Sequence, residues 1–109
     1  MKVGVYTNAF REFPIEEAMR KIQAAGIQMV ELGCGEESGF AHCDPQQLLA
    51  DESKLAAFRG CIADHGLEIS ALSCHGNPVS PNEATRELSV RSMRNAVLLA
   101  EKLGLRNIN

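Results

Sequence analysis

Three times in this chain a helix-like stretch closes on a glycine and an apolar, strand-like stretch begins at once: Ala25-Gly26-Ile27, His65-Gly66-Leu67 and Leu103-Gly104-Leu105. The first two glycines are 40 residues apart and the last two 38. A further apolar stretch, Val3 to Thr7, opens the sequence. The pattern is a β-α-β-α-β-α-β repeat. Strands joined through helices pair in parallel with right-handed crossovers. Ligands of such folds bind outside the carboxyl ends of the strands. Two architectures meet these conditions, an open doubly wound sheet and a closed β/α barrel. The regular repeat with a short junction each time leads us to expect strands in chain order, as in a barrel wall.

Lys2 to Thr7 reads as a buried strand, and Ile27 to Leu32, Leu67 to Cys74 and Leu105 to Asn109 read as the second, third and fourth. The first helix is expected from Pro14 to Ala25, with Pro14 in its first turn and Ile15, Ala18, Met19, Ile22 and Ala25 as its apolar stripe. The second runs from Ser53 to His65, with Leu55, Phe58 and Ile62 inward. The third runs from Asn82 to Leu103, with Met93, Ala96, Val97, Ala100 and Leu103 inward. The long connection from Gly33 to Asp51 leaves room for a short helical turn at Pro45 to Leu49. The fourth strand is reached only at Asn109, so the 109 residues read as a single, partial β/α domain.

Net charge is -3 and no face carries a run of Lys or Arg, which argues against a nucleic-acid partner. No apolar run approaches the roughly 20 residues of a membrane span, and no leader pattern opens the sequence. The expectation is a cytoplasmic protein without a membrane partner. Cys34, Cys43, Cys61 and Cys74 include no Cys-x-x-Cys pair and read as free thiols. A zinc site from His42, Cys43, Cys74 and His75 is the alternative, though its spacing matches no finger or ribbon.

The strand ends carry the chemistry. Ser73-Cys74-His75-Gly76-Asn77-Pro78 is the richest segment. His75 could bind a metal through neutral imidazole or carry a proton near neutral pH, or it could simply bond a loop carbonyl. Glu31 lies within the second strand, where a carboxylate needs a partner: a metal, a substrate, or a nearby Lys or Arg. Alternation places Ile69, Ala71, Ser73 and His75 on one face, and Ile27, Met29 and Glu31 on another that could be shared. Gly33-Cys34-Gly35 with Gly39 is a poor dinucleotide loop, since the third glycine is one place late and no helix follows. His42 and His65 read as structural, with His65 favoured at the negative end of its helix.

The segments VGVYTNAF, AAGIQMVELGCG, HGLEISALSCHGNPVSPN and AEKLGLRNIN together resemble the sugar phosphate isomerase/epimerase family of xylose isomerase-like TIM barrels. The resemblance covers the chain in collinear order and implies the N-terminal half of a (β/α)8 barrel. It implies a divalent metal (Mn, Mg, Co or Zn), a sugar or sugar phosphate as substrate, and proton transfer between adjacent carbons through an enediolate by paired glutamates. On this resemblance His75 matches the histidine after the third strand, a metal neighbour, and Glu31 the acid of the second strand. Asn8 falls at the mouth of the first strand, and Asn77 joins these as a substrate neighbour. The family's further carboxylates lie on later strands, so no complete catalytic set is expected here. An inactive, self-associating half-barrel and an endonuclease IV-like repair protein are the competing readings, the latter opposed by the acidic balance.

Overall fold

Gly26, Gly66 and Gly104 all take the left-handed backbone conformation, at φ of 75, 68 and 70°. The computed structural model, which describes residues 1–109, shows that the three junctions are one motif. At each, the residue after the glycine donates its N–H five residues back: Ile27 to Ile22 O, Leu67 to Ile62 O and Leu105 to Ala100 O. This closes the helix and aims the chain back along the sheet, a geometry open to glycine without a Cβ penalty.

The elements between junctions are β1 (Gly4–Tyr6), α1 (Ile15–Ala24), β2 (Met29–Gly33), α2 (Pro45–Ala50), α3 (Glu52–Asp64), β3 (Glu68–Ser73) and α4 (Glu83–Leu103), with a 3-10 turn at Thr7–Phe10. Side-chain caps start three of the helices: Asp44 for α2, Asp51 for α3 and Asn82 for α4. Pro14 stands at the cap of α1 rather than inside it. The short turn expected after Pro45 is a helix in its own right.

The sheet is parallel, in the order β1-β2-β3. The expected fourth strand lies beside β3 but forms a single bridge, Leu72 with Ile108. Asn109 N–H donates to Leu72 O, and Asn109 O accepts from Cys74 N–H, both at 2.8 Å. Below that bridge the Asn107 side-chain amide donates to the Ser70 carbonyl, which removes an acceptor from any backbone ladder. Spatial order therefore follows chain order, as in a barrel wall.

Val30, Leu32 and Leu72 are fully buried and share one core with Met19, Ile22, Phe58 and Leu99. α1 packs on α3, α3 on α2, and α2 on α4, so the helices form one layer on one side of the sheet. Two expectations about facing are corrected. Ser70 is an extra residue in β3 opposite the Val30–Glu31 step. This bulge puts Ile69 level with Val30 and in contact with the core, instead of on the opposite face with Ala71. On α4 the buried residues are Ser89, Ala96, Leu99 and Ala100, whereas Met93 and Val97 are 38% and 56% exposed. The true stripe is offset because Ala96, Leu99 and Ala100 pack into the core, and Ser89 extends it, its hydroxyl accepting from Asn77 N–H and donating to Thr85 O.

Candidate functional site

Past the bulge, strand alternation puts Glu31, Ala71 and Ser73 on the sheet face away from the helices, and His75 follows two residues after β3 ends. Glu31 is level with Tyr6 on β1 and Ala71 on β3. Its carboxylate accepts from the Asn109 side-chain amide at 3.1 Å, so the partner that burial demands is an amide and no Lys or Arg ion pair forms. His75 lies four residues beyond Ala71, up to about 13 Å further along the chain axis. Glu31 lies within the sheet and His75 beyond the end of β3, at different levels.

The backbone around His75 is tightly held. Its N–H donates to Ser38 Oγ at 2.8 Å, and its carbonyl accepts from Glu37 N–H at 3.0 Å. A Cβ on Gly35 would sit 2.9 Å from both of those His75 backbone atoms, so glycine is required for this contact. With the backbone tied down, the imidazole is left exposed. Asn8 is committed to the same knot: its amide donates to Tyr6 Oη and to the Ser38 carbonyl, to which Tyr6 also donates. Asn77 is exposed and its side chain accepts from Val79 N–H, forming a turn. His75 is therefore exposed past the end of β3, Glu31 is half-buried within β2, and Asn8 and Ser38 shape the loop that holds His75. Gly35 and Gly39 pair across a tight hairpin without a following helix, so the glycine-rich segment is a turn and not a phosphate cradle.

The His42, Cys43, Cys74 and His75 set does not assemble. His42 Nε2–H donates to Phe13 O at 2.8 Å, leaving Nδ1 buried without a partner. Cys43 and Cys74 are buried in the same core cluster as Cys34 instead. The interaction with Cys43 holds the Cys34 thiol below its ordinary range, and the same interaction, with burial, pushes Cys43 up. Burial first, and the charge on Cys34 next, raise Cys74 to about 11. All four cysteines are free.

One group of three metal-ligating side chains comes together, and it lies among the helices. Glu16 of α1, with Cys61 and His65 at the end of α3, place a ligand atom each within 4.8 Å of one another. The Cys61 thiol donates to Glu16 Oε2 at 3.1 Å. Burial and then that carboxylate push the thiol up to about 12. His65 Nε2 lies 3.6 Å from Glu16 Oε1. Sequence reasoning passed over this set. The four-residue spacing of Cys61 and His65 was a visible signal; the arrival of Glu16 from another helix was not. Glu16 and Cys61 also line a cavity of about 580 Å3 walled by Ile15, Phe40, His42 and Phe58.

A family described as xylose isomerase-like TIM barrel matches residues 19–109. The uncharacterized protein YfiH of Bacillus subtilis (strain 168) is 28% identical over 105 residues, which cover 94% of this chain and 34% of that protein. The chain therefore spans about a third of the length of this curated relative. No helix is long and apolar enough to cross a membrane.

Proposed function

Since the chain belongs to the xylose isomerase-like TIM barrel family, we propose that it supplies the opening β/α units of a metal-dependent isomerase or epimerase acting on a sugar or sugar phosphate. The observation that carries this reading is the placement of Glu31 on the helix-free face of the parallel sheet, in line with the strand end that presents His75. Helices cover one face, and the polar groups gather on the other, toward the carboxyl ends of the strands, where barrel enzymes bind substrate.

The Asn109 amide orients the Glu31 carboxylate, which is then a fixed acceptor for substrate hydroxyls. The exposed His75 imidazole offers a donor, an acceptor or a proton carrier near neutral pH. The clamp of Ser38, Glu37 and Gly35 sets its position. The family's divalent metal does not fit these residues as a whole site. Glu31 and His75 are the ligands offered, they stand at different levels, and no third ligand converges with them. In this reading further strands complete the metal site, and the isolated chain is inactive.

Titrating the 109-residue chain with a polyol and with a sugar phosphate, followed by amide chemical shifts, tests the proposal. Shifts grouped at Glu31, His75 and Asn77, without turnover in the presence of Mn2+, Mg2+, Co2+ or Zn2+, are expected. Shifts confined to the helical layer, or turnover above that of the His75→Ala variant, would overturn it.

A further inference from the structure

We propose that Glu16, Cys61 and His65 form a zinc-class cation site that clasps α1 to α3, separate from Glu31 and His75. Cys61 and His65 stand one helical turn apart and project to the same side of α3. His65 Nδ1 is 2.6 Å from the Cys61 carbonyl oxygen. A carbonyl only accepts, so Nδ1 carries the proton and the Nε2 lone pair faces outward. Backbone carbonyls fix histidine ligands of metals in this way.

That fixed tautomer sets up an unsatisfied contact. In neutral His65, Nε2 is an acceptor, and it faces Glu16 Oε1, also an acceptor, at 3.6 Å. The thiol proton of Cys61 satisfies only the other carboxylate oxygen. A second proton on His65 would settle this pair alone, whereas a divalent cation would settle all three groups at once. Zinc bonds of about 2.0 Å to N and O and 2.3 Å to S put tetrahedral ligand atoms about 3.3 to 3.5 Å apart. The sulfur–oxygen pair, at 3.1 Å, must open by about 0.4 Å and the nitrogen–oxygen pair, at 3.6 Å, close by about 0.3 Å to meet it. Glu16 can make the remaining adjustment, because its side chain is 74% exposed. On binding, the metal–sulfur bond forms and the thiol proton leaves to solvent. Glu16 and Cys61 also line the cavity beside α1 and α3, through which water would reach a fourth position on the cation.

The test is a Zn2+ titration of the full chain in competition with a chromogenic chelator, paired with a Co2+ titration followed by absorption. One equivalent is expected, with a thiolate-to-cobalt charge-transfer band. Cys61→Ser should abolish the band. Glu16→Gln should weaken binding by more than about tenfold while circular dichroism stays unchanged, since Glu16 is a surface residue; it decides the matter should Cys61→Ser fail to fold. Absence of stoichiometric binding overturns the proposal. So does a cobalt band that persists at full affinity in Glu16→Gln, which would hand the metal to the buried thiols Cys34, Cys43 and Cys74.

Discussion

Asn109 and Glu31, 78 residues apart, are joined across the open face of the sheet by a 3.1 Å hydrogen bond from the amide to the carboxylate. The same residue completes the backbone pairing of β3, through Leu72 O and Cys74 N–H. Removing residues 107–109 should therefore do two things. It should strip partners from the amides of Leu72 and Cys74, both buried, and leave Glu31 unoriented. Residues 107 and 109 make five hydrogen bonds to β2 and to β3 with the residue after it, so at about 1 kcal/mol per lost bond the expected loss is about 5 kcal/mol in urea unfolding. Faster hydrogen exchange at Leu72 and Cys74, with Val30 unchanged, is the local signature.

Two glycines should respond oppositely to alanine. A Cβ at Gly35 meets the His75 backbone at 2.9 Å and Cys74 Cα at 3.0 Å, atoms that cannot swing aside. Gly35→Ala should cost about 1 to 3 kcal/mol and shift the His75 amide resonance. Gly60, inside α3, has nothing within 4 Å of its Cβ position. Gly60→Ala should stabilise by about 0.5 to 1 kcal/mol. Paired urea melts give both signs.

The repeat, the strand order and the three glycine caps were legible in the sequence because each rests on local rules: an apolar stripe, a left-handed residue, a short junction. Ile69 was misplaced because one extra residue, Ser70, reverses the alternation, and nothing in Glu68-Ile69-Ser70-Ala71 announces a bulge. Met93 and Val97 were assigned inward by helical spacing alone. Spacing fixes which residues share a stripe but not which stripe meets the sheet, and here Ala96, Leu99 and Ala100 are the ones in the core. Glu31 was identified as a carboxylate needing a partner, but the partner proved to be an amide 78 residues away. Glu16 escaped notice because it reads as an ordinary first-turn acid until α3 is packed beside it.

Asp51 gives a pH signature. Hydrogen bonds from the Ser53 hydroxyl first, and the Lys54 N–H next, hold its carboxyl below the ordinary 3.8. A carboxyl depressed in the folded state contributes stability above its ordinary value and loses it as pH falls through the lowered one. The charge also sits at the positive end of α3. Asp51→Ala should thus lower Tm at pH 7, and the gap from the parent should narrow below pH 3.8. A gap that holds constant to pH 2 would show that the effect is not carried by the charge.

The last prediction concerns what the chain leaves uncovered. One edge of β1 has no neighbouring strand, and the sheet face opposite the helices has no helix over it. On α4, Val90, Met93, Val97 and Leu98 are 44%, 38%, 56% and 45% exposed. Val90, Met93 and Val97 follow helical spacing, so they form a stripe rather than scattered points. Bare strand edges and apolar stripes drive association. The isolated 109-residue chain should therefore self-associate, with dimers or larger species in light scattering at concentrations suited to spectroscopy. Val97→Arg places a charge at the centre of the stripe, on a side chain that takes no part in the core. It should shift the distribution toward monomer without lowering Tm. A monodisperse, cooperatively unfolding parent of 11.8 kDa would show that stripe and edge are inert. Association unchanged in Val97→Arg would instead locate the contact at the sheet edge, where Val3→Lys, a charge on the exposed residue that leads into the edge strand, would be the next variant to measure.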